Sequence, residues 1–387
     1  MSEPVLLART ADRLRNVAGF IAYELDRYRQ LTHVDPADDF GLAPASLPSL
    51  GICRVPRRNK YAADLTAIAN RVGVPTESLA NFLRTLDALT ALRSRDTSAP
   101  ASFPGSAGML AAARDHAEEY TEFDEPSSDV ASLPGWLGQA VDRFWGENAE
   151  PQTFPRDLHL PILINLPVAI IEIDGLTVEN VSQWMRLHQL PALAAVADRP
   201  LRGCLAAYAG VGVLFVDRSD EPKQRRVTLA HEVGHFVVDY LLPREDVAHR
   251  RPDLLAVLDG DRTATDAERF DALIADVPVG FHTHLLERDA QGHLSSATAE
   301  VEDRAERVAL ELLAPLRVVL QETANQNPQD VLRERFGLPF GVATRYSNHI
   351  QRLLPRRTRS LLDAIGLTET IDADAGVREV DDQEMDS

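Results

Sequence analysis

Two histidines and a glutamate stand in a pattern capable of hydrolytic chemistry. The stretch RRVTLAHEVGHFVVDY, residues 225–240, contains His231, Glu232 and His235 as H-E-x-x-H. Histidines four apart share one face of a helix, so their imidazoles can converge on a single cation. Zinc favours imidazole nitrogen and accepts tetrahedral geometry with one position left open for water. Glu232 cannot point at the same ion together with both histidines, but it can reach a water there and act as general base. Zinc lowers the pKa of such a water towards ~7 and polarises a scissile carbonyl. Chance places H-E-x-x-H in roughly 2% of chains this long, and the setting makes chance less credible. Between Arg226 and Asp239 the only formal charge is Glu232, and proline is absent. An acid and two histidines on an otherwise apolar helix need partners, because unpaired buried polar groups are costly. The bland alternative is a core helix that carries two surface histidines.

A catalytic zinc usually takes three protein ligands, and H-E-x-x-H supplies two. The third is expected from a separate helix facing the first. EVEDRAERVALELLAP, residues 300–315, has an apolar stripe through Ala305, Ala309, Leu312 and Leu313, with Glu302 and Glu306 along the same stripe. Carboxylates on a core-facing stripe call for a cation or a donor. Glu302 is therefore expected as the ligand and Glu306 as an acceptor for a histidine N–H. A solvated charged face is the alternative, and His282, His284 and His293 compete as third ligands. No side chain stands out for stabilising an oxyanion, with Tyr208, Tyr240 and the histidines of 243–298 all open.

The elements that must hold these groups follow from pattern. Arg225 to Leu242 reads as a long apolar helix, and Val301–Leu313 as a second, ended by Pro315. Leu205–Tyr208 and Val211–Val216 read as strands of a hairpin around Gly210, with Ile162–Leu166 and Val168–Ile173 as further strands. An extended substrate is expected to pair with an edge strand near Val211–Val216. Val178 to Arg186 reads as helix. Helical spacing over 5–30 predicts an amphipathic helix, 31–56 reads as loop, and a helical block runs from Tyr61 to Leu92. RSRDTSAPASFPGSAG, residues 93–108, is the best linker candidate, and Met109 to Tyr120 is expected to be helical. Helical pieces are expected at Asp253–Leu258, Ala267–Ile274, Pro328–Phe336 and Val342–Leu353. The fold class is thus a helical N-terminal part followed by an α+β part.

The 387 residues suggest two or three domains, and 44% apolar with 26% charged residues is an ordinary globular balance. A net charge of -19 excludes a general polyanion binder. Cys53 and Cys204 form no CxxC, which argues against a disulfide framework or a thiolate zinc site. No secretory signal or membrane span is read, so a cytoplasmic protein is expected. The acid-rich end, 357–387, reads as a solvated, disordered tail.

LTAIANRVGVPTESLANFLR, residues 65–84, fits a helix-turn-helix template, with Ala69 at the helix crossing and Gly73 in the turn. Its second helix is expected to present Thr76, Ser78 and Asn81, beside Glu77, to a major groove. Arg54, Arg57, Arg58 and Lys60 just upstream form a basic cluster for phosphates. A small helical hairpin used for packing or dimerisation is the alternative.

VTLAHEVGHFVV, followed by an E-x-x-A-x-x-x-A-x-x-L-L-x-P helix (Glu302, Ala305, Ala309, Leu312, Leu313, Pro315), resembles the ImmA/IrrE family of bacterial metallopeptidases. The strand pair in RGCLAAYAGVGVLFVDRSD (202–220) and the helices of 331–354 are similar to the same family, so the resemblance covers about 155–355. It implies a minimal zincin-like α+β fold and one zinc held by His231, His235 and Glu302. Glu232 is then the catalytic acid/base, and the substrate a transcriptional repressor in stress-response or mobile-element control. Some relatives carry a helix-turn-helix module ahead of the peptidase. The gap from His235 to Glu302 is longer than usual in the family, which marks 243–298 as an insertion. The expected organisation is a helical domain over 1–92, a connection over 93–150, the peptidase domain over 151–356 and the tail. The competing reading is a DNA-binding regulator whose zinc domain senses or docks without proteolysis.

Overall fold

The computed structural model describes residues 3–93, 110–115, 133–146, 148, 150–190, 198–259, 265–268, 296–323 and 326–351. His282, His284 and His293, most of the expected linker and insertion, and the acidic tail lie outside the described residues. The described chain is mixed α and β, mostly helical, with one four-stranded sheet. Two compact units are present: Met1–Thr121 with Pro134–Leu316, and Glu122–Leu133 with Arg317–Ser387.

The first unit opens with α1 (Glu3–Leu14), α2 (Ile21–Thr32), α3 (Pro36–Phe40), α4 (Leu47–Gly51), α5 (Tyr61–Val72) and α6 (Thr76–Arg93). The periodicity of 5–30 is real but covers two helices, separated by a turn in which Gly19 takes φ 87°. The expected loop 31–56 holds α3 and α4, and α3 starts where Asp35 accepts the Ala37 N–H. α5 stops at Gly73, whose φ of 75° lies in the left-handed region that glycine adopts without strain.

β1 (Leu110–Asp115), α7 (Gly135–Trp145), α8 (His159–Asn165), β2 (Val168–Ile173), α9 (Val178–Leu187), β3 (Leu201–Tyr208) and β4 (Val211–Asp217) follow. Two expectations change here. Ile162–Leu166 falls largely in α8, not in a strand. A short apolar run does not separate the two states by itself, and tertiary caps decide: Arg84 donates to the carbonyls of Leu163 and Ile164 at the end of α8. Met109–Tyr120 reads as helix from its sequence, yet 110–115 is a strand, because the open edge of β3 supplies a ladder that outweighs local preference.

The sheet order is β1-β3-β4-β2. β1 and β3 are antiparallel, as are β3 and β4, while β2 runs parallel to β4. β4, expected near an edge, is therefore interior. The β3–β4 hairpin turns through Ala209 and Gly210, at φ 50° and 85°, the pair of positive angles that a tight two-residue turn needs. Asp217 closes β4. Its buried carboxylate accepts the N–H groups of Gly175, Leu176 and Ser219 and the Ser219 hydroxyl, tying the loop before the H-E-x-x-H helix to the end of β2.

That helix, α10 (Pro222–Gly234), packs on β3 and β4 and continues through a π turn, His235–Leu241, into α11 (Leu242–Arg250) and α12 (Leu255–Leu258). Val227, Ala230, Val233, Phe236 and Val237 are buried along it. Phe236 lies over Gly212, where an added Cβ would meet its ring at 2.8 Å, and burying such a side chain stabilises by about 1.5–3 kcal/mol. α13 (Ser296–Leu313) packs across α10 and places Ala305, Val308, Ala309, Leu312 and Leu313 in the core. The second unit carries α14 (Leu316–Glu322), which begins at the boundary, α15 (Pro328–Glu334) and α16 (residues 340–351).

Candidate metal centre

His231, Glu232 and His235 sit one turn apart where α10 passes into the π turn, and all three are almost fully buried. α13 brings Glu302 to them from the facing helix. The close crossing has a specific cause: Gly234 meets the backbone of Ala305, so near that an added Cβ would lie 2.8 Å from the Ala305 Cα. Glycine at the second x of the motif thus lets Glu302 reach the histidines. Gly203 of β3 does the same for the acid. A Cβ there would fall 2.7 Å from Glu232 Oε1, so Glu232 fits between helix and sheet because that position has no side chain.

The Nε2 atoms of His231 and His235 lie 3.0 Å apart. Glu302 Oε2 is 3.0 Å from His231 Nε2, and Glu302 Oε1 is 3.5 Å from His235 Nε2. Zinc bonds near 2.0–2.1 Å in a tetrahedron set neighbouring ligand atoms about 3.3 Å apart. The trio matches that spacing, and the three groups can hold a metal ion. Their chemistry fits as well. His235 Nδ1 is 2.9 Å from Asp239 Oδ2, and Asp239 Oδ1 in turn accepts from Arg304 at 3.0 Å. A ring that donates through Nδ1 offers its Nε2 lone pair to a cation. The His235 Nε2 lone pair and the Glu302 carboxylate then meet beside His231 Nε2, an arrangement that positive charge relieves.

The electrostatics point the same way. Burial alone would depress the His235 pKa, but Glu302 and Asp239 outweigh it and hold the ring protonated well above its usual range. Burial pushes the Glu302 carboxyl up, and the two histidines pull it well below its usual range. The negative field of Glu302 and Asp239 favours positive charge here, and a metal ion must displace the His235 proton to take its place.

Glu306, expected to accept a histidine N–H, lies 3.5 Å from His231 Nδ1, longer than a good hydrogen bond. Asp239 holds the closer position, on the other ring. Sequence reasoning did not single it out, although it stands four after His235 on the same helix face, where an acid can meet an imidazole. Arg304, two after Glu302, was also missed. Tyr240, one of the groups left open for the oxyanion, accepts the Gly210 N–H at 2.7 Å, which anchors the hairpin.

The segment 65–84 is two helices joined at Gly73, with Leu65, Ala69, Val74, Leu79 and Phe82 buried. Its outward face is another matter. The Asn81 amide donates to the Ile170 carbonyl at 2.7 Å and accepts the Ile170 N–H at 2.9 Å, closing the outer edge of β2 as a neighbouring strand would. Ser78 and Asn81 line a cleft of about 720 Å3 with Glu77, Ile170 and Trp184. Thr76 is half-buried at the start of α6. Arg57 is paired with Asp64 through two 2.8 Å contacts, whereas Arg58 and Lys60 are exposed. The structure thus turns the Asn81 amide towards the sheet.

Compared with family models, curated proteins and solved structures, the chain finds no match. Among the described residues no helix is long and apolar enough to cross a membrane.

Proposed function

We propose that this chain is a zinc-dependent endopeptidase with a minimal zincin-like core, akin to the ImmA/IrrE peptidases, which cuts a regulatory protein such as a transcriptional repressor. One observation carries the reading. Two imidazoles and a carboxylate from separate helices converge at ligand spacing, with a buried glutamate next in the chain to the first of them. A pure docking site needs the three ligands but has no use for Glu232. Zinc, when bound, supplies Lewis acidity towards a water molecule and a substrate carbonyl.

The chain's own residues do the rest. His231, His235 and Glu302 hold the ion, and Asp239, braced by Arg304, fixes the His235 ring. Glu232 takes a proton from the attacking water as its oxygen bonds to the carbonyl carbon. It then passes that proton to the departing amine nitrogen as the C–N bond breaks. The space at Gly203 sets where the carboxylate sits, which keeps it oriented for both transfers.

The test uses purified full-length chain with zinc and candidate repressors, beside a Glu232→Gln variant that still binds metal. Cleavage by the wild type alone supports the reading. Equal cleavage by both removes Glu232 from the chemistry and overturns it.

A further inference from the structure

β1 pairs along the edge of the strand against which Glu232 rests. Glu232 rests against Gly203 of β3. One edge of β3 is paired with β4 and the other with β1, from Leu110 opposite Ala207 to Arg114 opposite Gly203. α10 packs against β1 as well as β3. The register brings β1 to the residue that cradles the general base, and there it slips: Asp115 pairs with Leu201, one residue out of step.

β1 is also a poor strand by composition. Its sequence is LAAARD. Alanine and aspartate are depleted in strands, and alanine pairs add little across a ladder. Backbone hydrogen bonds along six residues are what such a segment offers, and any extended peptide offers the same. The sequence before it, RSRDTSAPASFPGSAG, has linker composition.

We infer that Leu110–Asp115 is a built-in occupant of the substrate's strand position, which an extended peptide must displace in order to pair with β3 beside Glu232. This rests on the endopeptidase reading for its consequence, self-inhibition, but not for the strand exchange itself. The partner it implies is a segment of small residues in extended conformation that can copy the β1 ladder. If β1 is docked in more than about nine-tenths of molecules, releasing it raises the competent fraction at least ~10-fold.

The test compares the full-length wild type with Ala112→Pro/Ala113→Pro. Adjacent prolines remove one N–H that faces β3 whichever way the ladder alternates. Two readouts are taken with zinc present: casein cleavage, and anisotropy of a labelled peptide of residues 108–117, the latter also in a Glu232→Gln background. The proline variant should cleave at least ~10-fold faster and bind the peptide, and the wild type should not bind it. A second variant, Leu110→Cys/Ala207→Cys, joins directly opposed positions. Oxidised, it should lose at least ~10-fold of the wild-type rate and regain it with a phosphine reductant. Wild-type cleavage that equals that of both variants, with no peptide bound by either protein, overturns the inference and leaves the peptidase reading intact. Peptide binding by the proline variant with no cleavage by any form upholds the exchange and sinks the peptidase reading.

Discussion

Gly234→Ala is a small change with a large expected effect. In an ordinary helix it would add up to about 1 kcal/mol of stability. Here the new Cβ lands 2.7 Å from the Ala305 carbonyl oxygen and 2.8 Å from its Cα, against the 3.4 Å at which ordinary contact begins. The obstacle is backbone, so no rotamer change relieves it, and α13 must retreat by about 0.6–0.7 Å. Metal sites tolerate deviations of about 0.2 Å in ligand distance. Glu302 travels with α13, so the third ligand leaves the trio. We expect zinc affinity to fall at least ~10-fold, or about 1.4 kcal/mol, read by competition with a chromophoric chelator. Urea unfolding of the metal-free protein should show a loss of about 1–3 kcal/mol from overpacking. Gly138→Ala in α7, where an added Cβ meets nothing within 4 Å, is the control and should leave zinc binding unchanged. A Gly234→Ala protein that binds zinc within about threefold of wild type, with stability unchanged or raised, would refute the role given to this crossing.

Asp239→Ala removes the carboxylate that fixes the His235 ring and should weaken zinc binding by about 10–100-fold, with Asp239→Asn intermediate. Zinc affinity should rise with pH, because the ion must displace the proton that Glu302 and Asp239 hold on His235. A pH series of chelator competition should show close to one proton released for this ring, and a flat profile would contradict it. The metal-free protein should behave oppositely: a raised histidine pKa stabilises the fold at low pH, and that contribution fades as pH rises through the folded value. Asp217→Ala orphans three backbone donors and should lower stability by about 2–4 kcal/mol in urea titrations. Although burial opposes it, the bonds from Ser219, Gly175 and Leu176 hold the Asp217 pKa below its usual range. Its contribution is therefore present above the unfolded carboxyl value and lost as pH falls through the folded one, so the wild type and Asp217→Ala should converge in strong acid.

The centre was legible because its chemistry is local. His231, Glu232 and His235 lie within one turn, and Glu302 betrays itself as an acid on an apolar stripe. The β3–β4 hairpin and the helices of 61–92 were legible for the same reason. What escaped was settled by distant partners. α8 is helical where its apolar run suggested a strand, and Arg84 caps it from 79 residues away in sequence. β1 is a strand against its own composition, held by the edge of β3. Asn81 fits a recognition helix by pattern, yet it bonds to Ile170, 89 residues on. Nor does spacing alone show that Gly203 and Gly234 are the gaps into which Glu232 and Ala305 fit; this depends on which elements touch.

The most direct measurement is an anomalous difference map, collected at the zinc absorption edge, from crystals of the full-length chain grown with equimolar zinc. The account requires one strong peak within bonding distance of His231 Nε2, His235 Nε2 and a Glu302 oxygen. A peak elsewhere, or none with the two rings turned apart, would contradict it.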